Sequence, residues 1–262
     1  MLRTPDAAAK CQLSRATAAA WQARREGDGA PVDADTLGHG TPPDFPARPD
    51  RPELLPPKDV PRRRPGSPAG RTALLHAIAH IELNAVDLHW DIIARFTDIA
   101  MPAGFYDDWV SAADDESKHF QLLSQRLAAM GSHYGTLPAH AGMWSAADAT
   151  AQDLLGRLAI VPMVLEARGL DVTPGMITMF EKADDPDSVA ALSTIYREEV
   201  GHVAFGSKWF HFLCGRDGLD PKPIFHSLVE TYFKGALKPP FNDEKRAEAG
   251  IPLDFYWPLA EA

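Results

Sequence analysis

The sequence predicts an all-α protein. Beyond about residue 70, apolar residues recur at spacings of three and four, which is the period of an amphipathic helix, and Gly- and Pro-containing breaks separate these stretches. No stretch shows a convincing strand pattern. The 262-residue chain is 45% hydrophobic, which suffices for a sizeable core, so wholesale disorder is excluded.

Turn residues and capping signals set the helix boundaries. Ser145-Ala-Ala-Asp148 reads as a capping box that opens a third helix after a long connection. Gly169–Gly175 is expected to interrupt that helix, and Thr173-Pro174 to cap and start a short one. The expected helices span about 71–97, 105–130, 145–168, 173–182, 187–214 and 221–236.

Charge and proline divide the chain into three parts. Residues 1–70 carry a net charge of +2 and the remainder −12, and 11 of the 23 prolines lie between Pro31 and Pro68. Such a stretch cannot propagate a helix. We expect a short helix over 5–25 followed by an extended arm, and we interpret the basic run Arg62–Arg64 as solvated or salt-bridged. The predicted parts are an arm over 1–70, a helical bundle over 71–240 and a tail over 241–262.

Several classes of protein are excluded by composition. The two cysteines, Cys11 and Cys214, provide neither a disulfide framework nor a Cys-x-x-Cys site for zinc or redox work. No apolar run approaches the ~18–20 residues that a membrane span needs, and the N-terminus has no secretory signal. We therefore expect a soluble, cytoplasmic protein without membrane contact. The acidic body does not favour nucleic acid as a partner.

A repeated arrangement of Glu and His lies on the inner faces of the long helices. The order along the chain is Glu, Glu-x-x-His, Glu, Glu-x-x-His, with one element on each helix. A pair at i and i+3 lies on one helix face, so its Glu and His can bind the same metal. Four carboxylates and two imidazoles are the ligand set of a di-iron or di-manganese centre in a four-helix bundle. The expected metal ligands are Glu82, Glu116, His119, Glu166, Glu199 and His202.

Spacing strengthens this interpretation beyond the motif count. With 12 Glu and 10 His, chance placement gives about 0.5 Glu-x-x-His, and the chain has two. Glu82 precedes Glu116 by 34 residues and Glu166 precedes Glu199 by 33, so the motif repeats as two helical hairpins of similar size. Each residue taken alone has an ordinary alternative as a solvated group or an ion-pair partner. Four separate ion pairs explain the repeat less well than one metal centre.

Two neighbouring residues are candidates for tuning the site. Tyr196, one turn before Glu199, can act as a hydrogen-bond donor or redox relay, and the alternative is a packed core tyrosine. His89, two turns beyond Glu82, can orient a ligand, and the alternative is a satisfied core histidine.

Three strings of sequence resemble a known family. They begin at Leu75-His-Ala-Ile-Ala-His-Ile-Glu82, Leu165-Glu-Ala-Arg-Gly-Leu-Asp-Val-Thr-Pro-Gly175 and Glu199-Val-Gly-His202. They are similar to the bacterial ferritin-like proteins catalogued as a domain of unknown function, over roughly residues 45–250. The resemblance implies a ferritin-like four-helix bundle, and the sequence pattern adds a long crossover between helices two and three, an extra C-terminal helix and a Pro-rich N-terminal arm. It also implies that the six residues above bind two metal ions.

A di-metal oxidoreductase is the favoured function. Iron is the expected metal, with manganese as the alternative, because both accept oxygen and nitrogen ligands. The favoured reaction is activation of O₂ or peroxide by an oxidase or hydroxylase of an organic small molecule, with an external electron donor because the chain has no Cys-rich module. The alternatives are a ferroxidase or peroxide-detoxifying iron-handling protein, in which an oligomer forms a shell, and a metal-stabilised interaction module without turnover.

Overall fold

The computed structural model describes residues 1–27, 38–56, 58–61, 66–233 and 235–260. Within these ranges the regular secondary structure is helical, and the β-type pairings are two isolated bridges, Leu54 with Ala139 and Leu237 with Ala260. The predicted all-α class is therefore confirmed. The run Arg62–Arg64 and part of the expected extended arm, residues 28–37, 57 and 65, lie outside the described residues.

The chain divides into two compact units, Met1–Trp144 and Ser145–Ala262. The first unit contains helices α1 (Ala7–Gly27), α2 (Pro68–Arg95) and α3 (Ala103–Ala129), and α4 (Gly142–Ala149) spans the division. The second unit contains α5 (Leu154–Ile160), a π-helical segment (Val161–Glu166), α6 (Ala167–Glu181), α7 (Pro186–Asp217), α8 (Pro221–Tyr232), α9 (Asp243–Glu248), α10 (Leu253–Tyr256) and a 3₁₀ turn (Trp257–Leu259).

Helices α2 and α3 form an antiparallel hairpin in the first unit. Glu82 on α2 is 3.0 Å from the ring Nδ1 of His119 on α3. Seven residues further along α2, the ring of His89 stacks on Trp109, with 5.3 Å between the centroids. The residue numbers rise along one helix as they fall along the other, as the hairpin expected from the spacing of Glu82 and Glu116 requires.

Helix α1 packs along α3 through its polar side chains as well as its alanines. The hydroxyl of Ser14 donates to the carbonyl of Ala113 at 3.1 Å. The indole Nε1 of Trp21 donates to Asp107 at 2.8 Å, and Arg25 donates to the same carboxylate at 2.9 Å. The Ala-rich N-terminal stretch is thus a helix that hydrogen bonds to α3 of the hairpin.

The described part of the Pro-rich stretch is extended chain that lies on the first unit. The backbone N–H of Leu55 donates to the carbonyl of Ala139 at 2.8 Å, and Ala139 donates to Glu53 at 2.9 Å. These strand-like hydrogen bonds satisfy backbone groups that prolines leave without helical partners.

The third helix begins later than its capping signal predicts, so that expectation was wrong. Ser145–Asp148 lies inside the short helix α4. Asp153 caps α5 instead, and its side chain accepts from the N–H of Gly156 at 2.9 Å. The buried guanidinium of Arg157 donates to the carbonyl of Ala147 and so satisfies the end of α4. An aspartate cap and this buried donor together separate two helices where the local pattern indicated one.

The predicted interruption at Gly169–Gly175 is also wrong, because α6 runs unbroken through Pro174. A proline inside a helix removes the N–H that would bond to the carbonyl four residues earlier, here Leu170. The side-chain amide of Asn242 supplies the missing donor, with its Nδ2 atom 3.2 Å from the Leu170 oxygen. The helix therefore tolerates the proline through a tertiary hydrogen bond.

Asn242→Ala is expected to lower the free energy of unfolding by ~1–3 kcal/mol, since it removes two hydrogen bonds and a helix cap. The lost partners are the Leu170 carbonyl, the Tyr196 hydroxyl at 2.7 Å and the Lys245 N–H at 3.2 Å. In a Pro174→Ala background the loss is expected to be smaller, because the helix then supplies its own donor. Denaturant unfolding of the four proteins in this double-mutant cycle measures the coupling, and strictly additive effects would contradict it.

The irregular backbone near this helix begins eight residues earlier than predicted, at Val161 of the π-helical segment instead of Gly169. The segment contains Pro162 and ends at Glu166. Single-turn π segments are frequent at functional sites because the extra residue redirects neighbouring side chains. A Cβ added at Gly206 on α7 would lie 2.4 Å from the Pro162 ring, so the two helices approach closely at this point.

Gly206→Ala is expected to destabilise the protein by ~1–3 kcal/mol, since the rigid Pro162 ring cannot move aside for the added methyl group. Gly215→Ala on the same helix is the matched control, because no atom lies within 4 Å of its added Cβ. That control is expected to be stabilising by ~0.5–1 kcal/mol through helix propensity. Thermal unfolding of both variants distinguishes the two effects, and equal behaviour would contradict the close approach.

The C-terminal segment is held to α6 by a buried ion pair and by a partly exposed arginine. Arg246 donates to both oxygens of Asp171 at 2.8 and 2.7 Å. Arg168 donates to the carbonyl of Lys238 at 2.6 Å. The stretch expected as a Pro-rich tail is therefore folded against the second unit, with short helices α9 and α10.

Helix α7 ends at its C-cap residue Gly218, whose backbone adopts the left-handed conformation with φ of 68°. Helix α2 begins where the Ser67 hydroxyl accepts from the N–H of Gly70 at 3.0 Å. Both ends lie a few residues outside the predicted bounds. Among the described helices, none has the length and apolar character needed to cross a membrane.

Candidate metal centre

Three of the predicted ligands meet inside the first unit. Glu82, Glu116 and His119 are 4%, 1% and 0% exposed. One ligand atom from each lies within 4.8 Å of the others. The Nδ1 atom of His119 is 3.0 Å from Glu82 and 3.6 Å from Glu116. Two carboxylates and an imidazole around one point can hold a divalent cation.

The hairpin explains why these side chains converge. Glu116 and His119 are one turn apart on α3, and the antiparallel register brings Glu82 on α2 level with both. Apolar residues adjacent to them or one turn away on the same helices are buried as well, with Leu83, Val86 and Phe120 all 5% exposed or less. The ligands are therefore held on rigid helices in a dry environment.

Burial makes the cluster costly without a cation. Burial and, next, the nearby charge of Glu116 raise the pKa of Glu82 to about 8, while the hydrogen bond from His119 opposes the shift. Two carboxylates removed from water repel each other, and a bound divalent ion would neutralise both. The donor set thus fits a metal better than it fits an isolated ion pair.

The second unit contains the other three predicted ligands. Glu199 and His202 lie one turn apart on α7, with 3.5 Å between Oε1 and Nδ1. Glu166 ends the π-helical segment and is 6% exposed. A Cβ added at Gly206 of α7 would meet the Pro162 ring, so α7 and the π-helical segment that ends at Glu166 approach each other closely in this unit. The second unit therefore carries the same order along the sequence as the first, a lone Glu followed by a Glu-x-x-His.

The two candidate tuning residues have other contacts in the structure. The ring of His89 is buried against Trp109. The Tyr196 hydroxyl accepts from Asn242 at 2.7 Å and so belongs to the hydrogen bonds that hold the C-terminal segment. Their predicted roles beside the metal ligands stay predictions.

Sequence reasoning missed a second polar cluster in the first unit. Lys10, 1% exposed, donates to both oxygens of Asp87 at 2.6 Å. This pair borders a cavity of about 250 Å³ that is also lined by Arg48, His80 and Asn84. Asp87 lies within the helix predicted over about 71–97, but nothing local indicates its partner on α1.

Comparison with known proteins places the chain in a family. It matches the family described as "Protein of unknown function (DUF455)" over residues 3–257. A relative from Haemophilus influenzae, described as an uncharacterized protein, is 42% identical over 214 residues, covering 78% of this chain and 73% of the relative. No solved structure matches the chain. Since the family match extends over nearly the whole sequence, the chain belongs to the DUF455 family of proteins of unknown function.

Proposed function

We propose that the protein is a ferritin-like di-metal carboxylate oxidoreductase, an oxidase or hydroxylase that activates O₂ or peroxide. The observation that carries the proposal is the buried convergence of Glu82, Glu116 and His119 in the first unit. Solvent is excluded from this point, so a reactive centre would be protected from side reactions with water.

The number of metals is inferred from the repeat. The second unit offers Glu166, Glu199 and His202 in the same lone-Glu and Glu-x-x-His pattern, with spacings of 34 and 33 residues in the two hairpins. We assign both sets to one centre with two ions in a four-helix bundle, since four carboxylates balance two divalent cations and leave one imidazole for each. Iron is our first choice and manganese the alternative.

The two metals would supply redox chemistry and bind O₂ or peroxide, and the chain itself would orient and insulate them. The Glu82 carboxylate accepts from His119 at 3.0 Å, so these groups hold each other in place before a metal binds. Neither cysteine is suited to a redox role, because burial raises the pKa of Cys11 to about 12 and that of Cys214 to about 11, which disfavours their thiolates. Electrons would therefore come from an external donor.

Anaerobic reconstitution followed by exposure to O₂ tests the proposal. The full chain is loaded with Fe(II), freed of excess metal, and analysed for iron per chain and for O₂ consumed. We expect two iron ions per chain and oxidation that stops after the bound iron is spent unless a reductant is added. Failure to retain iron or manganese would reject the proposal.

The same experiment separates iron handling from oxygenation. Continued oxidation of Fe(II) far beyond the bound ions, with light scattering that shows a large hollow assembly, would indicate ferroxidase and storage. Metal retention with no O₂ consumption, together with strong destabilisation by chelators, would indicate a metal-stabilised interaction module.

A further inference from the structure

A polar cavity in the first unit lies apart from the six metal ligands. Its volume is about 250 Å³, and it lies between the described part of the Pro-rich stretch and α2. None of the six ligands lines it. A dry cavity of about 150 Å³ accommodates benzene, so this volume is enough for a small metabolite.

One pair of charges in the wall is already balanced. Lys10 donates to both oxygens of Asp87 at 2.6 Å and to the Ala47 carbonyl at 2.9 Å. These contacts engage its ammonium fully, since an ammonium has three donors. The pair is therefore a structural part of the wall and leaves no net charge for a ligand.

Arg48 adds a positive charge to the wall, and the two other carboxylates that line the cavity, those of Asp50 and Glu53, belong to exposed residues. Its Nη2 atom is buried and makes no hydrogen bond to any residue that the structure describes. Burial lowers the pKa of Arg48, with the charge of Asp87 opposing the shift, yet a guanidinium stays protonated in proteins. A buried cationic donor of this kind is costly unless an acceptor meets it.

Asn84 presents the complementary group. Its Nδ2 atom donates to the carbonyl of His80 at 2.6 Å, which fixes the orientation of the amide. Its Oδ1 atom is buried and accepts no hydrogen bond from the described part of the chain. The cavity wall therefore offers one cationic donor on the Pro-rich stretch and one neutral acceptor on a rigid helix.

We propose that this cavity binds a small organic carboxylate that also carries a hydroxyl or amino group. The carboxylate meets the guanidinium of Arg48, since planar guanidinium groups match carboxylate geometry. The hydroxyl or amino group donates to Asn84 Oδ1. Leu83 and Pro52, which also line the cavity, pack against the carbon skeleton. The inference does not rest on the proposed di-metal function.

Titration calorimetry with the full chain tests the ligand class. The probes are L-lactate, L-malate, L-serine and L-glutamate. Two comparators each lack one of the recognised groups: acetate has no hydroxyl or amino group, and lactamide has no carboxylate. At least one probe is expected to bind roughly 10-fold or more tighter than both comparators, the loss expected for one hydrogen bond to a charged group. Titrations of the protein as purified and after removal of metal distinguish this cavity from binding at a metal.

Variants of Arg48 test the location. Arg48→Met is expected to weaken binding by roughly 10- to 100-fold. Arg48→Lys should weaken it by less, because lysine keeps the positive charge but lacks the planar guanidinium that donates two hydrogen bonds to one carboxylate. Arg24→Met, at an exposed position of α1, is the matched control and should bind as the parent does. Circular dichroism confirms that each variant is folded.

Three results would overturn the proposal. The first is that no probe binds more tightly than the comparators, which would indicate that the cavity holds only solvent. Another is undiminished affinity in a folded Arg48→Met variant. Tighter binding of inorganic phosphate than of every carboxylate would replace the ligand class.

Discussion

Glu116→Gln is expected to lower the metal content from two ions per chain to one or none. The side chain is 1% exposed and lies with Glu82 and His119 within 4.8 Å. Glutamine has nearly the same volume, so packing is kept, while the negative charge and one strong oxygen ligand are lost. Metal analysis after anaerobic loading and desalting measures the effect.

Loss of this charge is expected to have a second, opposite consequence in the metal-free protein. Repulsion from Glu116 contributes to the raised pKa of Glu82. Removing that repulsion should make metal-free Glu116→Gln at least as stable as the metal-free parent, although it binds less metal. A general folding defect would instead lower both stability and metal content.

Glu181→Gln is the matched control, because Glu181 is an exposed residue of α6. It should retain the full metal content. If Glu116→Gln also retains two ions per chain, Glu116 is not a ligand and the assignment in the first unit fails.

Lys10→Met is expected to destabilise the protein by ~3–5 kcal/mol near neutral pH, the range for removing one partner of a buried ion pair. The Lys10 and Asp87 side chains are 1% and 3% exposed, so solvent cannot compensate for the lost partner. The carboxylate of Asp87 would then be buried without its main cation. Denaturant unfolding measures the change.

The effect should depend on pH in a defined direction. Burial already raises the pKa of Asp87 from 3.8 to about 6, and Lys10 opposes that rise. Without Lys10 the folded-state pKa moves higher still, so the folded variant binds a proton that the unfolded chain releases. The stability of the Lys10→Met variant is therefore retained below about pH 4, where Asp87 is protonated in both the folded and the unfolded state. It is lost as the pH rises through 6.

Two further variants make this prediction specific. Lys10→Met with Asp87→Leu removes both charges and is expected to recover most of the stability. Lys222→Ala breaks an exposed pair with Asp254, where the side chains are 47% and 56% exposed, and should cost less than ~1 kcal/mol. A Lys10→Met variant that loses no more than the Lys222→Ala variant would contradict the prediction.

The helices were predictable because their signals are local. Apolar residues at spacings of three and four revealed α2, α3 and α7 to within a few residues. The errors arose where a distant group or a competing cap decided the outcome. Asn242 sustains the helix through Pro174, and Asp153 takes the capping role expected at Ser145.

The clustering of three candidate ligands was predictable for the same reason, and the cavity was not. A Glu and a His at i and i+3 share a helix face whatever the tertiary fold, and the structure brings Glu116 and His119 to Glu82. The pairing of Lys10 with Asp87 spans 77 residues and follows from how α1 docks, which no local pattern encodes.

Anomalous diffraction from crystals of the iron-loaded protein tests the central claim most directly. The account predicts two iron peaks per chain, one coordinated by His119 and the other by His202, with the carboxylates of Glu82, Glu116, Glu166 and Glu199 around them. A single peak, or iron bound away from these residues, would contradict the di-metal centre.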